Sequence, residues 1–257
     1  MQIKIFGERN SGTNALAAMI GANSASRLLP GTIPELNTET AKHVARMRRN
    51  GCSVHMIESE IDHAFKDQSI NHQWKHTATN FDLYDIPADT HYVFIVRNPL
   101  SWVLSLFKSP YHILVERPQS FEAFYSMSWK TLGRDNLAYE WCKPIDLYKF
   151  KLQSYRSFIY RLLGANRSFT ILHFEKLIQR QETCFFQLRP YLDNPAVIFS
   201  EFTRSTKDHT KSLSHYKQYY GSEEWRQEIE PAILDEYTFD EDLWSFFESD
   251  APVSNQS

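Results

Sequence analysis

Apolar residues recur along this chain in two rhythms. Short continuous runs alternate with longer stretches of helical spacing, and the alternation sets the expected architecture. The run Ile3 to Phe6 stops at Gly7 and reads as a buried parallel strand, followed by an alanine- and leucine-rich helix over Thr13 to Ile20. Residues 23–39 carry Pro30, Gly31, Pro34 and several Ser and Thr, the composition of a loop. Thr40 to Arg49 reads as a helix whose Lys42, Arg46, Arg48 and Arg49 form a solvated face or a lid over an anionic ligand. A strand is expected around Gln73 to His76 and a stronger one over Tyr92 to Val96. There Asn98-Pro99 then caps and starts a helix. Ser120–Ser126 and Asp135–Leu163 read as helices, Phe169–Phe174 as a strand, and a helix follows from about Glu175. After Pro190 the pattern weakens into loops, and Glu223–Tyr237 reads as a helix. Strands alternating with helices predict one α/β domain over residues 1–248, a three-layer fold with a central parallel sheet flanked by helices. Residues 249–257, mostly polar with three Ser, are expected to be a disordered tail.

The turn after the first strand carries candidate chemistry. In GERNSGTN, Gly7 and Gly12 permit tight backbone turns, and the amides from Asn10 to Asn14 can point at an anion on the helix N-terminus. The spacing is that of a P-loop GxxxxG, but Thr13-Asn14 stands where an ATPase has Lys-Ser/Thr. A glycine loop of this kind is equally a plain strand-to-helix turn, so a second anion-binding element is needed to decide. Arg97 ends the Tyr92–Val96 strand, and in open parallel sheets ligands bind beyond the carboxyl ends of strands. Ser105 lies seven residues beyond Asn98, which returns it to nearly the same helix face, so Arg97 and Ser105 can converge on a phosphate.

Composition narrows the partners. A formal charge of −3 over 257 residues argues against general nucleic-acid affinity, and 42% hydrophobic with 23% charged residues is ordinary for a globular domain. Aromatics at 14% are abundant, which suits core packing or an apolar acceptor pocket. Cys52, Cys142 and Cys184 are too far apart to suggest a disulfide framework or zinc site. No run reaches the roughly 18 apolar residues of a membrane span, and the first residues do not read as a signal peptide. A reduced, cytoplasmic protein is the expectation.

Together, GERNSGTN and VFIVRNPLSWVLSLF resemble the two nucleotide-binding segments of sulfotransferases that use 3′-phosphoadenosine 5′-phosphosulfate, most closely those of bacterial members. The resemblance covers the first half of the chain well and the last sixty residues poorly. It implies a P-loop-containing fold in which Arg9, Asn10, Ser11, Gly12, Thr13 and Asn14 hold the 5′-phosphosulfate, and Arg97 with Ser105 holds the 3′-phosphate. It further implies that His76 in HQWKHTATN is the catalytic base with Lys75 beside it. A basic C-terminal loop would close over the 3′-phosphate, with Lys211 as the contact offered from the run containing Lys207, Lys211 and Lys217. Glu175, in ILHFEKL, is expected to orient a neighbouring helix or loop.

Sulfuryl transfer of this kind needs positioning and charge stabilisation, a base for the acceptor proton, and donors for the charge on the departing 5′-phosphate oxygen; no metal is required. The chain departs from the commoner family pattern in having Asn10 where many members carry Lys before Ser-Gly-Thr, so Arg9 or Lys75 is expected to supply that cation. The product would be adenosine 3′,5′-bisphosphate, and the acceptor a hydroxyl or amine on a carbohydrate or small metabolite, bound by loops within residues 23–70 and 109–135. Two further readings stay open: a P-loop kinase, disfavoured by the missing lysine after Gly12, and a non-catalytic protein that binds the bisphosphate.

Overall fold

The computed structural model describes residues 1–81, 86–203 and 211–248. Strand β1 (Gln2–Phe6) leads into helix α1 (Thr13–Asn23), a two-residue strand β2 (Arg27–Leu28) and three helices, α2 (Ile33–Leu36), α3 (Thr38–Arg49) and α4 (Val54–Phe65). Strand β3 (Thr90–Val96), fully buried, precedes α5 (Pro99–Lys108) and α6 (Phe121–Ser126). A small antiparallel pair follows, β4 (Trp129–Lys130) with β5 (Trp141–Cys142). After it come α7 (Pro144–Gly164), β6 (Phe169–His173), α8 (Phe174–Gln179) and α9 (Gln181–Leu188). The chain then runs through α10 (Leu213–Gly221), α11 (Pro231–Glu236) and α12 (Glu241–Glu248).

The main sheet is parallel throughout, in the order β2-β1-β3-β6. Its pleat sorts side chains between two layers. Ile3, Ile5, Val93 and Ile95 face α1 and α9 through Leu16, Met19, Ile20 and Phe185. Phe6, Tyr92, Phe94 and Val96 face the opposite layer, where Trp102 of α5 and Tyr155 and Phe158 of α7 complete the core. A third apolar cluster lies outside these layers and joins α2, α3 and α4 to Trp74.

The structure corrects the sequence reading at several places. Gln73–His76 is not a strand: Ile70–His72 is a 3₁₀ turn and the following residues cross the end of the sheet. The lane beside β1 is taken by β2, and Lys75 is pinned instead between two loops, its amide donating to Gly31 O at 3.1 Å and its carbonyl accepting from Gly7 N at 3.0 Å. The long helix begins at Pro144 rather than Asp135, because residues 129–142 form the β4/β5 pair around a tight turn at Gly133–Asp135. Residues 223–237 are divided, with Glu224–Glu228 forming a 3₁₀ turn and Pro231 starting α11 afresh. Helix α4 and the short α2 occupy a region read as loop, and α10 forms where the pattern was weak. Residues 249–257, together with Arg204 and Lys207, lie outside the described residues.

Candidate functional site

The loop between β1 and α1 is shaped by its two glycines. A Cβ on Gly7 would lie 2.5 Å from Ile95 Cγ2 and 2.6 Å from its carbonyl oxygen, so only glycine lets β1 leave the sheet this close to β3. Gly12 precedes α1 with φ 91°, the left-handed region, and Phe174 lies 2.6 Å from where its Cβ would be. No side chain caps α1 and no acidic residue occupies its first turn, so its positive end is uncompensated. The structure places Ser11, one of the expected anion contacts, behind the turn. It is buried, its amide and hydroxyl both donate to Glu8 O, and it braces the turn from behind instead of lining the cavity.

His76 is tied to this loop. Its Nδ1 lies 2.6 Å from Gly7 O, and a carbonyl only accepts, so Nδ1 carries the hydrogen and Nε2 is the bare acceptor. Burial, reinforced by the neighbouring Lys75, holds the pKa of His76 well below 6.5. Lys151 Nζ donates to the His76 carbonyl, fixing the backbone as well. Lys75 Nζ donates to Asn14 Oδ1 at 2.5 Å, at the start of α1; burial lowers its pKa and Glu35 opposes that shift.

Arg9 is placed differently from the free cation expected of it. Its Nη1 meets Glu8 Oε1 at 2.7 Å and its Nη2 meets Asp135 Oδ1 at 3.0 Å, while Lys151 Nζ lies 2.7 Å from the same Asp135 oxygen. All four side chains are buried, two cations against two carboxylates. Burial opposes the charge on Arg9, but Asp135 and Glu8 outweigh it and hold the pKa above the ordinary arginine value. The fork of Arg9 is therefore committed to protein carboxylates, and its guanidinium lies over Trp74, 4.8 Å from the ring centroid. Arg134 covers the same ring at 4.6 Å and pairs with Glu58 and Asp62.

Arg97 reaches from the end of β3 across the loop. Nη1 donates to Asn10 O at 2.8 Å, Nε to Ser101 Oγ at 2.9 Å and Nη2 to Tyr220 OH at 2.9 Å, with Phe174 packed on the guanidinium at 4.4 Å. The serine bonded to Arg97 is thus Ser101, one helical turn before Ser105; Ser105 lines the cavity nearby. Glu175 accepts from the Asn98 amide at 3.1 Å, joining the start of α8 to the turn before α5.

These elements open into one cavity of about 870 Å³. Of the residues anticipated from sequence, Arg9, Asn10, Gly12, Thr13, Asn14, Lys75, His76, Arg97, Ser105 and Lys211 line it and Ser11 does not. Arg48 is the one cation of the α3 face that reaches it. Among the described residues its lining holds seven Lys and Arg; Arg9, Arg134 and Lys108 are paired with carboxylates, and Arg48, Lys75, Arg97 and Lys211 are the cations that suit an anionic ligand. Sequence reasoning missed Trp74, Glu58, His112, Arg134, Asp135 and Tyr220. Only the position of Trp74, immediately before Lys75-His76, offered a signal.

No protein-family model matches this chain, and no curated protein matches it either. Among the described residues no helix is long and apolar enough to cross a membrane.

Proposed function

We propose that this protein is a sulfotransferase of P-loop type that binds 3′-phosphoadenosine 5′-phosphosulfate and sulfates a hydroxyl or amine on a small acceptor. The observation that carries the reading furthest is the bond from His76 to Gly7: the imidazole hangs from the loop that would hold the donor phosphate, with its unprotonated Nε2 left over for chemistry. The residues suit a ligand with two separate anionic groups. The uncapped start of α1 with Lys75 beside it would hold one, and Arg97, Ser105 and Lys211 the other.

The donor, when bound, supplies a sulfuryl group activated by its link to phosphate. The chain supplies the rest. His76 Nε2 takes the proton that the acceptor hydroxyl loses, while Nδ1–H stays on Gly7 O and keeps the ring in orientation. Lys75 and the first-turn amides of α1 offer positive potential to the negative charge that develops at the loop, and Asn14 holds Lys75 in place. Arg9 acts beneath the loop, neutralising Glu8 and Asp135 so that the turn keeps its shape.

Calorimetry with adenosine 3′,5′-bisphosphate, AMP and ATP, with and without magnesium, tests the reading. Tight binding of the bisphosphate that needs no magnesium is the expected result; preference for Mg-ATP overturns it. Bisphosphate binding without sulfate transfer to any hydroxyl acceptor would instead leave a non-catalytic binding protein.

A further inference from the structure

One wall of the cavity is built from elements other than those that would hold the donor. Helix α3 packs against α2 and α4, and with Trp74 these helices form the apolar cluster outside the sheet layers. Ile33, Val44, Ile61 and Phe65 of that cluster line the cavity. Tyr111, 44% exposed and next to His112, lines it too and adds an aromatic surface. Such a wall suits an apolar or aromatic body.

Arg48 stands at one end of this wall. Ala41, Val44 and Arg48 are spaced i, i+3 and i+7, one face of a helix, and they are the residues of α3 that line the cavity. Arg48 is therefore one turn, about 6 Å along the axis, beyond Val44. Lys42, Arg46 and Arg49 lie off that face. Three of the other cations in the lining, Arg9, Arg134 and Lys108, are held by carboxylates. Lys75, Arg97 and Lys211 are the ones that suit the two anionic groups of the donor. The guanidinium of Arg48 has no hydrogen bond or ion pair with a described residue, which leaves one uncompensated charge at the edge of an apolar surface.

We propose that the acceptor is an acidic hydroxy compound, with an apolar or aromatic body against Ile33, Val44, Ile61 and Phe65 and a carboxylate held by Arg48. The planar fork of an arginine takes both oxygens of a carboxylate at once, and the apolar wall beside it excludes part of the water that would screen the pair. Arg48 thus selects for charge at the end of the acceptor remote from its hydroxyl. That this hydroxyl is the group sulfated rests on the sulfotransferase reading; the binding of the acid does not.

The test is calorimetry on the full chain without nucleotide, comparing 6-hydroxy-2-naphthoate and 7-hydroxy-2-naphthoate with the carboxamide of each, which keeps the size and loses the charge. At least one acid should bind about fivefold more tightly than its amide, the upper range for an ion pair open to solvent. The gain should shrink as NaCl is raised from about 0.05 to about 0.5 M. Arg48→Gln, at an exposed helix position that glutamine suits, should erase the gain and leave the amides unchanged. Equal affinity for acid and amide, or a gain that survives Arg48→Gln, overturns the proposal. With adenosine 3′,5′-bisphosphate at saturation the gain should persist; its loss would put the acid on the donor's cations and overturn the proposal as well. A failure to bind the bisphosphate would sink the sulfotransferase reading and leave the nucleotide-free result standing.

Discussion

His76 donates from Nδ1 to the carbonyl oxygen of Gly7 at 2.6 Å, so the imidazole and the turn after β1 are one mechanical unit. The bond fixes the tautomer, and Gly7 cannot shift to break it, because Ile95 fills the space beyond its Cα. In the proposed function this bond would hold the base in place relative to a phosphate on the loop.

Replacing His76 with Ala should lower turnover by about 10²–10⁴-fold, the usual contribution of a positioned base, while bisphosphate affinity stays within about twofold. Burial and Lys75 keep the pKa of His76 well below 6.5, so the neutral, proton-accepting form persists as pH falls through that value. Steady-state kcat/KM should therefore show no loss centred at about 6.5; a half-drop there would contradict the assignment.

Arg9 should matter to stability more than to chemistry. Arg9→Met leaves Glu8 and Asp135 buried with Lys151 as their remaining cation, and urea denaturation at pH 7 should show a loss of about 3–5 kcal/mol. Adding Asp135→Asn should cost less than the sum of the single changes, since the two share one network. A normal midpoint with collapsed turnover would return Arg9 to the leaving-group role.

Arg97→Lys keeps a charge and loses the fork that serves Asn10, Ser101 and Tyr220 at once. Bisphosphate binding should weaken about tenfold and AMP binding, which lacks the 3′-phosphate, by less than about twofold. Equal weakening of both would detach Arg97 from the 3′-phosphate.

Glu58 offers a pH signature in stability. Burial favours its neutral form, but the His112 hydrogen bond and Arg134 overcome that and lower its pKa from 4.5 to about 2. Its folded pKa is depressed, so its contribution is present above about 4.5 and disappears as pH falls towards about 2. The stability gap between wild type and Glu58→Gln should be widest near neutral pH and close across that acid window. A gap that is constant with pH would show that the charge of Glu58 is not what stabilises the fold.

The parts of the site legible in the sequence were those carried by local rules. Gly7, Gly12 and the helix start at Thr13 follow one another along the chain, and Asn98-Pro99 announces α5 directly after β3. The same rules failed at Lys75-His76, expected in a strand, because contacts to Gly7 and Gly31 define that segment and both glycines are distant in sequence. They failed again at Asp135, whose place in a tight turn is set by Arg9 and Lys151.

By itself, the sequence determined the alternation of buried strands and helices, the glycine-framed loop and the basic residue at the end of β3, since each depends on neighbours a few positions away. Only the tertiary structure decided which cations remain available to a ligand. The charge of Arg9 is balanced by a carboxylate 126 residues further along the chain, and the tautomer of His76 is set by the carbonyl of Gly7, 69 residues before it. Charge compensation and tautomer are set by through-space contact at about 3 Å, and spacing along a chain does not encode which groups meet at that range.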